Sequence, residues 1–365
     1  IKFWMKKGVK GFRFDVVNLI SKGAFEDDYQ GDGRRFYTDG PNIHRYLKEL
    51  HETTFGTDAE IITVGEMSST SIENCYEYAG EKSNELSMVF SFHHLKVDFM
   101  GNEKWVMVPF DFQKLKHIIF QWQTKMCQHN AWNAVFWCNH DQPRVVSRFG
   151  NTEKYWKESA KMLATVIHCL RGTPYIYQGE EIGMTNANFT HISQYKDVES
   201  LNHFKILQQK GLSAENAYSI LQIHSRDNSR TPIQWTAEKN AGFTKGTPWI
   251  EVIKNYTHIN VESQINDESS IFNHYKKLIQ LRKENDTIAY GDFEALAENH
   301  PAIFAYKRTY QGETLLVINN FYGYEVTWDT EMNLSQYQCI LSNYAESKIE
   351  NILTLRPYES IVLKK

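Results

Sequence analysis

The residue pattern predicts an α/β fold, with β/α units around a parallel sheet followed by a small antiparallel β domain. Two observations carry it. Through the first three-quarters, short apolar runs alternate with stretches of helical periodicity, as crossover-connected parallel strands do. From about Asp286 the pattern turns to alternation and tight turns. The 365 residues divide most economically into one large and one small domain, read as 1–285 and 286–365.

Val9 to Val17 reads as the first strand. A helix opens at Asp39-Gly40-Pro41, with proline set for the first turn, and lines Ile43, Tyr46, Leu47 and Leu50 along one face. Ile61 to Glu66 is the second strand and Met88 to Phe92 the third. The following helix carries Leu115, Ile118, Ile119 and Trp122 on one side. Val135 to Cys138 makes a fourth strand, and Thr152 to Arg171 a helix burying Tyr155, Met162, Leu163, Val166 and Leu170. Gly172-Thr173-Pro174 stops that helix, and Tyr175-Ile176-Tyr177 is the fifth strand. Residues 186–270, rich in Asn, Ser, Thr and Gly, read as a long excursion at an active-site mouth. Ser270 to Glu284 returns to helix with Phe272, Tyr275, Leu278 and Ile279 inward. The C-terminal strands include Ala302 to Tyr306, Leu315 to Ile318 and Ser360 to Leu363, with a Gln311-Gly312 turn between the first two.

Composition excludes several classes of function. Lys and Arg number 40 against 44 Asp and Glu, a net charge of −4, and no long basic run is present, which argues against nucleic acid or an anionic membrane as partner. No apolar stretch is long enough to span a bilayer, and the N-terminus has no signal-peptide pattern. The five cysteines are scattered without metal-ligand spacing and suit a reducing compartment, so a cytoplasmic protein without a metal site is expected. Aromatic residues reach 14%, and their flat faces suit sugar rings as well as cores.

Three predicted strand ends finish in acids: Asp15 after Gly11-Phe12-Arg13-Phe14, Glu66 after Thr63-Val64-Gly65, and Asp141 after Cys138-Asn139-His140. At the C-terminal mouth of a β/α barrel, carboxylates distant in sequence can converge. Glycoside hydrolysis needs such convergence, with one carboxylate as nucleophile and one protonated acid about 5–5.5 Å away in the retaining case. Arg13, two residues before Asp15, shares its strand face and can keep that carboxylate ionised. An Arg-Asp pair alone reads as a structural ion pair; the three acids in order read as catalytic.

These motifs resemble the α-amylase-type glycoside hydrolases (family 13), and more closely their branch of oligo-1,6-glucosidases and trehalose-6-phosphate hydrolases. The resemblance covers nearly the whole chain. It implies Asp15 as nucleophile, Glu66 as general acid and then base, and Asp141 as the holder of sugar hydroxyls, with Arg13 and His140 beside them. Ser225 to Trp235 is similar to the branch's loop segment, whose first arginine, here Arg226, reaches the sugar. Tyr175 to Glu181 also matches, with Glu180 and Glu181 read as support. Cys138 reads as a small buried hydrophobe. Val16, after the nucleophile, resembles branch members that cleave linkages other than α-1,4.

The sharper substrate clue is Phe90-Ser91-Phe92-His93-His94-Leu95-Lys96-Val97, where oligo-1,6-glucosidases tend to be acidic. Two imidazoles and an ammonium suit a phosphate on the leaving glucose, with Lys96 and His94 as its candidate ligands. With Glu103-Lys104-Trp105, the segment looks like that of trehalose-6-phosphate hydrolases. The expected activity is retaining hydrolysis of trehalose 6-phosphate to glucose and glucose 6-phosphate by a monomer without a cofactor. The alternative is an oligo-1,6-glucosidase or dextran glucosidase acting on isomalto-oligosaccharides. A non-catalytic interaction barrel fits poorly with an intact acid trio.

The resemblance also implies an eight-stranded barrel, of which these five strands would be strands 4 to 8, followed by an antiparallel β-sandwich. The chain starts without Met, within a helical stretch, so an N-terminally truncated chain is expected. The first motif of the family, its small inserted domain and any calcium loop would lie in the absent part. Open sheet edges would then leave the chain aggregating or inactive by itself.

Overall fold

The computed structural model describes residues 1–24, 26–27 and 31–365. They form two compact units. The first comprises Ile1–Lys96, Lys114–Val135 and Arg171–Pro174, and the second Val97–Gln113, Phe136–Leu170 and Tyr175–Lys365.

Strands β1 (Gly11–Phe14), β2 (Ile62–Met67) and β3 (Met88–Ser91) make a parallel sheet in that order. A parallel bridge from Val89 to Asn133 continues it toward β4 (Ala134–Phe136), which pairs with β5 (Thr173–Tyr175). The helix Ile43–Thr53 buries Ile43 and Leu47 in a core shared with Val17, Phe55, Met67, Tyr78 and Val89, while Tyr46 is left on the exposed side. Apolar spacing located this helix because only one of its faces meets the sheet.

The structure revises several boundaries. The fifth strand is Thr173–Tyr175 rather than Tyr175–Tyr177: Thr173 N donates to Asn133 O at 2.7 Å, inside the segment read as a helix stop. Among the described residues β5 pairs with β4 alone. The helix expected from Thr152 to Arg171 spans Trp156–His168, behind a separate helix Val145–Phe149, and its residues Ser159 to His168 are all buried. Such all-round burial erases the periodicity that marks helix ends.

The 186–270 excursion is not irregular throughout. Helices Val198–Gln209 and Ala214–His224 are capped by Asp197 and Ser213, whose side chains accept from Ser200 N and Asn216 N. They pack Phe204, Leu207, Ala217, Ile220 and Leu221 with Trp105, Phe189 and Tyr195 into a core of their own. The helix Ile271–Glu284, capped by Ser270, buries Ile271, His274, Tyr275 and Leu278; Ile279, expected inward, is exposed.

Beyond the short helix Asp286–Tyr290, strands β6 (Asp292–Leu296), β7 (Ile303–Tyr310), β8 (Glu313–Asn320), β9 (Val326–Asp329), β10 (Gln338–Ser342), β11 (Ile352–Leu355) and β12 (Ser360–Lys364) form an antiparallel β domain. Its five-stranded sheet has the order β10-β12-β8-β7-β6, and a β11-β9 ribbon shares its core. Gln311 and Gly312, both at positive φ, make the β7–β8 turn. The strands β7 and β8 are buried on both faces rather than alternating. Ile303, Ala305, Leu316 and Ile318 face the ribbon, while Tyr306 Oη donates to Val166 O at 2.8 Å on the helix Trp156–His168.

Candidate active site

Two clusters contain the predicted site residues, one in each unit. In the first unit, the β1–β2 register pairs Arg13 with Val64 and Phe14 with Gly65. Asp15 and Glu66 therefore follow level positions on neighbouring parallel strands. A Cβ at Gly65 would lie 2.5 Å from Leu86 Cδ1 and 2.6 Å from Met67 Cε, so a larger residue there would push those side-chain ends aside. Arg13 Nη1 donates to Asp15 Oδ1 at 2.6 Å, and its Nη2 to Glu66 Oε2. One guanidinium thus spans both acids. Their environments differ: 71% of the Asp15 side chain is exposed, against 10% of Glu66.

Val16, next to Asp15, adopts left-handed backbone at φ 38°, rare for a β-branched side chain. The chain thereby leaves the β1 ladder directly after the acid.

His94 and Lys96 lie at the 3-10 turn His93–Leu95, after β3, the strand neighbouring β2. Burial lowers the Lys96 pKa, and the charge on Arg34 lowers it further. Among the described residues, no carboxylate forms an ion pair with Lys96. The ring of His93 lies 4.7 Å from that of Trp122, its Nδ1 is buried without a partner, and burial lowers its pKa, with Lys96 contributing. No hydrogen bond or ion pair of Lys96 joins it to Arg13, Asp15 or Glu66.

In the second unit Asp141 follows β4 in a turn held by its own N–H to Asn139 Oδ1 at 2.8 Å. His140, largely exposed, has Nε2 3.5 Å from Asp141 Oδ2. Arg226 approaches Asp141 Oδ1 at 3.6 Å, but a stronger contact comes from Arg230, whose Nη2 donates to the same oxygen at 2.6 Å while Nε donates to His140 O at 2.8 Å. The sequence reading singled out Arg226 and passed over Arg230. Four residues apart around the short helix Asp227–Arg230, the two share a face, and that spacing is the signal that could have found both.

A further ring of charges fixes these arginines. Arg230 Nη1 is 3.5 Å from Asp197, the cap of the helix Val198–Gln209. Arg226 Nε is 2.9 Å from Glu199 Oε2, with the N–H turned away from hydrogen-bond alignment. Lys104 Nζ donates to the same Glu199 oxygen at 3.2 Å and lies 4.7 Å from the centre of Trp105, which stacks on His203. Burial lowers the pKa of Lys104, the negative charge of Glu199 opposing it. Asp227, buried under the loop, accepts from Lys196 N and Asp197 N at 2.7 and 2.9 Å.

Arg144, three residues after Asp141 and fully buried, donates to Gln178 O, to Asn228 O at 3.2 Å and to Thr231 Oγ1 at 3.3 Å. It ties the segments around Asp141, Gln178 and Arg230 together, and its isolated position gave no sequence signal. Burial drives the Glu180 pKa up to about 8, and Tyr275 Oη donates to its Oε1 at 3.2 Å. Cys138 is buried, with its thiol pushed up to about 12 by that burial. No cluster of three or more His, Cys, Asp or Glu among the described residues could hold a metal ion. No helix among them is long and apolar enough to cross a membrane.

In the first unit two acids follow neighbouring parallel strands and share one arginine, and in the second an acid after β4 is held by two; the C-terminal ends of strands are where a β/α fold carries its chemistry. Residues 1–291 match the α-amylase catalytic domain, and residues 303–362 the C-terminal domain of the α-amylase SusG; the chain belongs to the α-amylase family. A trehalose-6-phosphate hydrolase of Bacillus subtilis is 53% identical over 99% of this chain and 65% of its own length. An oligo-1,6-glucosidase of Halalkalibacterium halodurans is 47% identical over 99% of this chain and 66% of its own. The crystal structure of Bacillus licheniformis trehalose-6-phosphate hydrolase superposes with a TM-score of 0.95 at 53% identity, covering 99% of this chain and 66% of that one. The chain thus spans about two thirds of the length of these relatives.

Proposed function

We propose that the protein containing this chain is a retaining α-glycosidase that hydrolyses trehalose 6-phosphate to glucose and glucose 6-phosphate. The observation that carries the catalytic reading is the Arg13 bridge, which fixes two carboxylates at level ends of adjacent parallel strands. In this reading β1–β5 are the fourth to eighth strands of an eight-stranded barrel, and the boundary at 285/286 separates it from the C-terminal β domain. An Asp15 oxygen attacks the anomeric carbon of the non-phosphorylated glucose as Glu66 gives its proton to the glycosidic oxygen, releasing glucose 6-phosphate. Glu66 then takes a proton from water, which attacks the same carbon and frees Asp15. Asp141 accepts from sugar hydroxyls, oriented by Arg230, while His140 and Arg226 border the same sugar. Neither step uses a cofactor, and the reading places the protein in the cytoplasm as a monomer.

The half-buried Lys96, with no paired carboxylate among the described residues and with Arg34 close enough to lower its pKa, supports a phosphate site on the leaving glucose. His94 is its second proposed ligand. The 47% identity to an oligo-1,6-glucosidase supports isomalto-oligosaccharides as the competing substrates.

The test compares trehalose 6-phosphate, trehalose and isomaltose as substrates for the full-length product of the gene. We expect preference for the phosphorylated disaccharide. Lys96→Ala should raise its KM by about 10- to 100-fold, the worth of a charge-assisted contact, with trehalose turnover unchanged. Faster turnover of isomaltose, with Lys96→Ala inert on all three, would move the protein to the oligo-1,6-glucosidases.

A further inference from the structure

We infer that Asn18 is a positioning residue that holds Asp15 level with Glu66, an inference that rests on the catalytic reading of those two acids. The β1–β2 backbone ladder ends at the pair Phe14 and Gly65, one residue short of both carboxylates. At Val16 the chain turns into left-handed backbone and leaves the sheet. The β2 main chain continues to Ser68 with no backbone partner from β1. The side chain of Asn18 takes the vacated place: its Oδ1 accepts from Ser68 N at 2.9 Å, and its Nδ2 donates to Ser68 O at 2.9 Å. A primary amide presents the same donor and acceptor as a peptide group, so this pair extends the ladder beyond the acids.

The clamp is itself buttressed. Asn18 is fully buried, its Nδ2 also donates to Asp39 Oδ1 at 3.0 Å, and its carbonyl accepts from Asp39 N at 2.9 Å. Asp39 in turn accepts from Tyr78 Oη at 2.6 Å and Asn74 Nδ2 at 2.8 Å. Each acid therefore lies between two cross-links, Arg13 before and Asn18 after. A retaining site depends on carboxylate spacing, and a displacement of about 1 Å can cost about 100-fold in rate.

In the full-length protein, Asn18→Ala is expected to lower kcat on trehalose 6-phosphate, or on isomaltose if that is the faster substrate, by about 100-fold, with KM within about threefold. In the glycosylation step, read as the first release of fluoride, loss on α-D-glucosyl fluoride, whose leaving group needs no proton, should be about tenfold smaller, because only the nucleophile's geometry counts there. Asn18→Asp, which keeps the volume and the acceptor but loses both donors, should follow the same pattern. Asn74→Ala, which removes one bond to Asp39 and leaves both Asn18–Ser68 bonds in place, should lower kcat less than either Asn18 variant. Unchanged kcat, equal loss on both substrates in step with the folded fraction, or failure of both Asn18 variants to fold would overturn the positioning role. The assignment of the acids is tested separately: Glu66→Gln should still release a first equivalent of fluoride rapidly, because that step needs no acid, with turnover slowed for want of the base, and Asp15→Asn should lose both substrates. If that pattern is missing, the catalytic reading fails whatever Asn18 does.

Discussion

In the first unit one guanidinium holds two carboxylates; in the second, two guanidiniums hold one carboxylate and are themselves held by others. Arg13 is shared by Asp15 and Glu66, and Asp15 is largely exposed. Asp141 instead lies in a lattice of Arg230, Arg226, Asp197, Glu199 and Lys104. The difference follows the work proposed for each. A nucleophile and a proton donor must change bonding during the reaction, so few fixed partners suit them. A carboxylate that orients hydroxyls must not move, and a network of charges fixes it at the cost of ordering several side chains.

The largest consequence concerns the lightly held acid. Asp15→Asn should reduce kcat by about 10⁴-fold or more, because no covalent intermediate can form, while the melting temperature stays within a few degrees. A melting temperature that collapsed with activity would make Asp15 a structural ion-pair partner. Next comes the lattice: Arg230→Ala should cost about 100-fold in kcat/KM and Arg226→Ala about tenfold, in keeping with contacts at 2.6 and 3.6 Å to Asp141. Equal losses would mean that the lattice acts as one body and that the shorter contact has no special weight.

The smallest effect concerns a buried acid that belongs to neither cluster. Burial first, and the neighbouring Glu181, push the Glu180 pKa from 4.5 up to about 8; the Tyr275 hydroxyl and Arg144 pull the other way, and Tyr177 also borders it. Its folded-state pKa lies above the unfolded value, so the folded state binds the proton more tightly. The unfolded chain loses it near pH 4.5 while the folded chain keeps it, so Glu180 makes stability fall as pH rises from about 4.5 to about 8. Glu180→Gln should flatten that slope: relative to the parent, the variant gains stability between pH 5 and pH 8 in denaturant titrations. His168 and His274, driven by burial to about 3, act in the opposite sense, their contribution being lost as pH falls from 6.5 toward 3. A Gln variant with the parent's pH dependence would show that Glu180 is ionised in the folded protein.

Legibility varied with burial geometry. Helices with one buried face were visible, because Ile43 and Leu47 repeat at helical spacing. The helix Trp156–His168 and the strands β7 and β8, packed on both sides, lost that contrast, so their ends or patterns were misread. In the site, Arg13 was found because it sits two residues from Asp15 on one strand. Asp197, Glu199 and Arg144 were missed because their partners are tens of residues away and their own neighbours say nothing about them, whereas Arg230 carries one local signal, its four-residue spacing from Arg226.

By itself the sequence determined the chemistry available: acids succeeding predicted strands, an arginine two residues from one of them, and a cationic turn at His93 to Lys96. Those features are local, and β periodicity of two places Arg13 and Asp15 on one side without further information. Only the tertiary structure decided how each acid is held. The register that levels Asp15 with Glu66, the amide of Asn18 standing in for a missing backbone pair, and the arginines gathered on Asp141 all join residues from separate segments. Hydrogen bonds and ion pairs of that kind depend on distances across the fold, which no spacing along the chain encodes.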